Sequence, residues 1–179
     1  IHGNLDALEA VLETAQAERV DRYLCLGDVV GYGARPMECI KIIQRLECRT
    51  VAGNHDFAAL GKIEIDFFNV YAKEATLWTR DNLTEEGRDF LSGLPLVDHI
   101  NGLSIVHGTL YSPELFDYVQ TSYDAYLSMS KMPGEVCFIG HSHIPVSFIK
   151  RRFIVYGLET EIDVEEGGKV LVNVGSVGQ

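Results

Sequence analysis

The sequence predicts an α/β (α+β) fold, a four-layer αββα sandwich of two mixed β-sheets flanked by helices. Helix-spaced and strand-like apolar segments alternate as βα units in the first half, and a run of strands closes the second. The polar motifs fall directly after the expected strands, where open α/β sheets collect ligands. Bulk composition agrees. A chain of 179 residues, 46% hydrophobic and 23% charged, suits one domain over residues 1–179 with a sizeable core, and excludes a disordered or collagen-like chain.

Asn4 is placed to cap a helix running to about Glu18, with Leu5, Leu8, Leu12 and Ala15 at helical spacing. Tyr23–Leu26 follows as a short buried strand, stopped by Gly27-Asp28. Gly31–Arg35 is a loop, and Pro36 suits the start of a second helix with Met37, Ile40, Ile43 and Leu46 on one face. Thr50–Ala52 is a second strand, broken by Gly53-Asn54-His55-Asp56. A helix is expected from Glu64 to Arg80 and a shorter one after Thr84. Residues 57–95 would then form a helical cap insertion, with Phe67, Phe68, Tyr71 and Trp78 in the core or in the cap wall.

Leu96–Ile100 and Leu103–His107 flank Asn101-Gly102, the dipeptide of a tight hairpin turn. A helix near Ser122–Ser130 precedes four strands, Val136–Ile139, Val146–Lys150, Phe153–Tyr156 and Lys169–Val174. Lys150-Arg151-Arg152 reads as a charged hairpin tip, and the carboxylate-rich stretch Glu159–Glu166 as an exposed turn.

Charge and cysteine usage remove several classes of function. Lys and Arg number 15 against 26 Asp and Glu, a net charge of −11 with His neutral. Sequence-independent nucleic-acid binding needs a basic face to displace counterions, so nucleic acid is not the expected partner. A small phosphorylated substrate stays compatible, because bound cations reverse the local field. No apolar run is long enough to span a membrane. Cys25, Cys39, Cys48 and Cys137 form no CxxC pair, which points to a reduced, cytoplasmic chain. No oligomeric state is assigned.

The chemistry concentrates in histidine. Five of the six histidines sit in short Gly-flanked motifs: His2-Gly3-Asn4, Gly53-Asn54-His55-Asp56, His107-Gly108 and Gly140-His141-Ser142-His143. His99 belongs to no motif and is read as structural. Imidazole and carboxylate together suit manganese, iron, zinc or nickel, and the lack of thiolate ligands speaks against a structural zinc site. A carboxylate such as Asp28 can bridge two cations, and an amide oxygen such as that of Asn54 adds a neutral ligand.

These blocks, in this order, resemble the calcineurin-like metallophosphoesterase superfamily, whose motifs run D-x-H, G-D, G-N-H-[DE], H and G-H-x-H. Ile1-His2, Gly27-Asp28, Gly53-Asn54-His55-Asp56, His107 and Gly140-His141-Ser142-His143 match them across nearly the whole chain. Asn173-Val174-Gly175-Ser176 is similar to the closing N-P-G-S, with Val174 in place of Pro. The resemblance implies two divalent metal ions, manganese first and iron, zinc or nickel as alternatives. His2, Asp28 and His143 would hold one; Asp28 would bridge to the other, completed by Asn54, His107 and His141. His55 would be the catalytic histidine, oriented by Asp56.

Two departures matter. The Asp of D-x-H would precede Ile1, so the chain is expected to lack a leading β-strand and to be truncated at its C-terminus. The protein phosphatases and symmetrical diadenosine tetraphosphatases carry G-D-x-V-x-R-G, whereas here Tyr32 stands in the Arg position of Gly27-Asp28-Val29-Val30-Gly31-Tyr32-Gly33. The short prokaryotic phosphodiesterase-like branch is the nearer likeness. Tyr32 and Arg35 are candidate substrate contacts, since their loop directly follows Asp28.

The activity so implied is hydrolysis of phosphodiester or phosphomonoester bonds. A metal-bridging hydroxide would attack phosphorus in line, and His55 would protonate the leaving oxygen. The alternatives are a dinucleoside polyphosphate hydrolase and a catalytically silent binding module of the same fold.

Overall fold

In the computed structural model, which describes residues 1–159, 161–164 and 167–179, the first helix is α1 (Leu5–Ala17). Asn4 begins it as expected, its side chain accepting the Ala7 N–H at 3.2 Å. The short strand β1 (Leu24–Cys25) leads to α2 (Pro36–Arg45), which Pro36 opens. Strand β2 (Arg49–Thr50) pairs with β1 in parallel, Leu24 opposite Arg49 and Cys25 opposite Thr50. Both strands are shorter than the apolar runs imply, because their shared ladder holds only these two rungs. The apolar residues beyond them, Val51 and Ala52, are still buried.

Three more helices follow: α3 (Asn54–Ala59), α4 (Val70–Asn82) and α5 (Glu85–Ser92). The first was not expected, since the sequence reads there as a break. The second starts six residues later than the Glu64 start, because the Asn69 side chain accepts the Ala72 N–H at 2.9 Å and caps the helix at that point. Leu8, Cys39, Ile40, Ile43, Ala59, Leu83 and Leu91 form one core, so the helical stretch expected as a cap shares its packing with α1 and α2. Fully burying an aliphatic side chain of this size contributes roughly 1.5–3 kcal/mol. These elements, residues Ile1–Pro95 with Val177–Gln179, are one compact unit.

Leu96–Ser176 is a second compact unit. Its strands are β3 (Val97–Ile100), β4 (Leu103–Val106), β5 (Val136–Ile139), β6 (Val146–Lys150), β7 (Ile154–Gly157) and β8 (Lys169–Asn173), with α6 (Ser122–Ser130) between β4 and β5. They form a six-stranded sheet in the order β3-β4-β5-β8-β6-β7. The central trio β4, β5 and β8 is parallel, while β3, β6 and β7 pair antiparallel with their neighbours. Asn101 and Gly102 both take left-handed backbone, as the tight β3–β4 turn requires. Val106, Val119, Ala125, Met129, Cys137, Ile139, Phe148 and Leu171 make this unit's core.

The described residues thus give a mixed α/β fold of six α-helices and two sheets. The tip after Lys150 is a turn closed by Arg151 N–H to the Phe153 carbonyl at 3.1 Å. Within the acidic run Glu159–Glu166, Thr160, Glu165 and Glu166 lie outside the described residues. No described helix is long and apolar enough to cross a membrane.

Candidate metal centre

In the first unit the chemistry gathers behind β1 and β2. His2 is buried, its N–H donates to the Asp28 carbonyl at 2.7 Å, and its own carbonyl accepts the Gly33 N–H at 2.7 Å. Asp28 is buried too, and its Oδ1 accepts the His55 N–H at 2.9 Å. His2 Nε2 lies 3.6 Å from Asp28 Oδ2. That is long for a hydrogen bond. It suits two ligands of one ion, since bonds of about 2.0–2.2 Å set neighbouring donors roughly 3–3.6 Å apart. A buried imidazole and carboxylate are also the donor types a first-row divalent ion takes.

The fully buried Asp56 accepts Gly53 N–H at 2.9 Å and Val30 N–H at 3.2 Å. It therefore fastens the start of α3, and with it Asn54 and His55, to the segment following Asp28. The His55 ring packs among Tyr32 at 4.8 Å, His2 at 5.0 Å and Phe68 at 4.9 Å between centroids. Tyr32 also meets His2 edge-on at 5.1 Å. Arg35 directs its guanidinium to Glu38, 3.3 Å away at an exposed surface. Phe67, Tyr71 and Trp78, expected in the core or cap wall, are exposed, so the core half of that expectation is corrected. Phe68 is the member of that group packed against the motif.

In the second unit the parallel strands deliver their chain ends to one side. His107 follows β4, Gly140-His141 follows β5, and Asn173 ends β8. The Gly140 N–H donates to the His107 carbonyl at 2.8 Å. The buried Asn173 amide donates to the Gly140 carbonyl at 2.6 Å and to Ser142 Oγ at 3.0 Å, which fixes the His141–His143 loop. His107 Nε2 and His141 Nδ1 face each other at 3.0 Å. Two ring nitrogens so placed could both ligate one ion, or one ring can donate to the other when no ion is bound.

Backbone strain marks both clusters. His2, Asp28, Tyr32, His141 and His143 have φ values of 58°, 50°, 33°, 65° and 60°. Left-handed residues other than glycine are uncommon and concentrate at functional sites, although Asp and His tolerate the region better than most. His99 lies apart, its ring hydrogen-bonded to Ser104 Oγ at 2.9 Å in the β3–β4 hairpin.

The sequence singles out Phe68 only as a core or cap-wall residue, and does not single out Phe116, Tyr118 or the tying role of Asn173. An Asn closing the apolar strand Lys169–Asn173 is a usable signal for a buried strand-end tie. The aromatics come from loops without periodicity and leave no such signal. All four cysteines are free, and burial holds the Cys25 and Cys137 thiols at about 12, far from metal-binding thiolate.

The sequence profile of the calcineurin-like phosphoesterase family matches residues 1–172. An uncharacterized protein of Methanocaldococcus jannaschii is 40% identical across all of this chain and 74% of its own length. The crystal structure of a metallophosphoesterase from Sphaerobacter thermophilus superposes with a TM-score of 0.80 at 35% identity, covering 99% of this chain and 74% of that one. A shorter likeness, 36% over 63 residues, links 34% of this chain to 23% of a symmetrical bis(5'-nucleosyl)-tetraphosphatase from Psychromonas ingrahamii.

Proposed function

The chain belongs to the calcineurin-like phosphoesterase family, and from that membership we propose that it is a dinuclear metal-dependent hydrolase of phosphoric esters. In this reading His2, Asp28 and His143 hold one divalent cation, and Asp28, Asn54, His107 and His141 hold a second. Manganese is the first choice; iron, zinc and nickel suit the same donors. The observation carrying the proposal is the pair of preformed donor sets, His2 with Asp28 at 3.6 Å and His107 with His141 at 3.0 Å, with His2, Asp28 and His141 on left-handed backbone. Free thiols fit a reducing, cytoplasmic setting.

When bound, such cations supply Lewis-acid neutralisation of phosphoryl charge and a nucleophile at neutral pH. The protein's own part is positioning and proton transfer. His55, clasped by Tyr32 and Phe68 and anchored through its backbone to Asp28, donates a proton to the leaving oxygen. Asp56 holds the turn that presents it. Tyr32, with Arg35 from the same loop, contacts the substrate.

The test is hydrolysis of bis-p-nitrophenyl phosphate with added manganese, with His55→Ala as the diagnostic variant. Turnover should fall by about 10²–10⁴-fold, the usual worth of general-acid help, with manganese stoichiometry retained. A variant that loses both metals makes His55 a ligand, and a wild type inactive at every metal concentration makes the chain a silent binding module. The 63-residue likeness supports a second reading, a dinucleoside polyphosphate hydrolase. Tyr32 in the Arg position counts against its symmetrical form, and diadenosine tetraphosphate in the substrate panel separates the two.

A further inference from the structure

We infer that Tyr118, on the loop between β4 and α6, is a positioning residue that fixes the ring plane of His141 and so sets cation affinity at the His107–His141 pair. The inference rests on the ligand role proposed for those two histidines. Tyr118 lies face to face on His141, centroids 3.9 Å apart and planes 11° from parallel. Two residues earlier Phe116 meets His107 edge-on at 6.0 Å and 72°. One loop therefore braces both imidazoles whose nitrogens face each other.

The loop is built to hold that position. Leu110, Phe116 and Val119 are buried and pin it to the unit's interior, while the Leu110 N–H donates to Ser128 Oγ on α6 at 3.0 Å. Ser112 and Phe116 take left-handed backbone, with φ of 57° and 54°. Gly108 allows the return: a Cβ there would lie 2.6 Å from the Asp117 carbonyl oxygen, so the loop folds back directly over the residue after His107. The glycine of His107-Gly108 thus has a packing cause.

A ligand histidine on a loop can miss its ion by rotating about its side-chain bonds. Partners around a ligand usually prevent this through a hydrogen bond to the second ring nitrogen. A stacked phenol restricts the same rotation through the ring face. Tyr118 is 53% exposed and stacks on His141 through its ring face, the part of the side chain that a phenylalanine keeps.

Tyr118→Leu and Tyr118→Phe test this in the full chain. In metal-free protein the His141 ring protons should carry an aromatic ring-current shift that Y118L loses and Y118F keeps. Manganese titration should show about 10–100-fold weaker binding by Y118L, the loss typical of a ligand's orienting partner, and recovery in Y118F. The kcat of Y118L should return at saturating manganese with KM for the ester unchanged. Equal manganese affinity in Y118L and wild type, or equal weakness in Y118L and Y118F, overturns the inference alone. A wild type that takes up no manganese removes the metal centre and this inference together. Circular dichroism on both variants confirms that the fold is intact.

Discussion

Gly53 has no room for a side chain. A Cβ at that position would run into Asp28, at its Oδ1 and its backbone nitrogen, and the φ of −101° shows that space rather than backbone freedom is the constraint. Gly53→Ala should therefore push the Asp28 carboxylate out of place. Overpacking of this kind costs about 1–3 kcal/mol, and both thermal melting and manganese stoichiometry should fall. The motif around Gly53 was legible from spacing alone, whereas the reason for its glycine was not, because nothing in a linear sequence shows which side chain lies over which backbone. The cysteines give a second test at this scale. Burial raises Cys25 and Cys137 from 9.0 to about 12, so the folded chain keeps both protonated where an unfolded chain ionises. Their contribution is complete below pH 9 and is lost as pH rises towards 12. Urea midpoints measured at pH 7, 9 and 10.5 should decline over the last interval, and thiol reagents should react with these two residues only on unfolding.

Among the elements, α4 carries a defect that can be repaired. Thr76 and Thr79 are buried on its inner face, and neither hydroxyl has a hydrogen-bond partner among the described residues. A buried unpaired hydroxyl costs about 1–3 kcal/mol, so the isosteric Thr79→Val should raise stability by roughly 1 kcal/mol. A lowered melting temperature would show that the hydroxyl is satisfied in solution. Capping decides the element boundaries more than periodicity does. At α6, Thr121 Oγ1 accepts the Asp124 N–H while Asp124 Oδ2 accepts the Thr121 N–H at 2.9 Å, and the helix starts where the sequence placed it. Burial works against the charged form of Asp124, but the hydrogen bonds from Thr121 and Gln120 prevail and hold its carboxyl below the usual range. The hairpin at Asn101-Gly102 was readable because the turn chemistry is local. Helix α3 was missed because it has only six residues and depends on the Asp56 carboxylate reaching Val30, a contact between residues 26 apart.

At the scale of the molecule, the proposed ligands come from positions 2 to 143, so cation binding belongs to the native chain and not to the unfolded one. At a free concentration 100 times Kd each cation adds about 2.7 kcal/mol, or roughly 5–11 °C per site for a chain of this size. Chelation should lower the melting temperature by that amount and re-added manganese should restore it; an unchanged transition would deny a well-occupied site. The order of motifs along the chain was enough to read the family, because each block brings its own turn and its own donor. The braces behind those donors were less readable: Asn173, which ties by hydrogen bonds, leaves a signal as the polar end of an apolar strand, whereas Tyr118 acts through packing that only the folded chain creates. The strand order has a further consequence for biosynthesis. Strand β8 lies between β5 and β6 although it is made after β7, so a ribosome delivers both outer partners before the strand that joins them. Until it emerges, the nascent chain carries the open edges of β5 and β6, along with a His141 loop that lacks its Asn173 tie. The six-stranded sheet must therefore close only after translation of β8, and its time of exposure to chaperones is set by when that strand clears the exit tunnel.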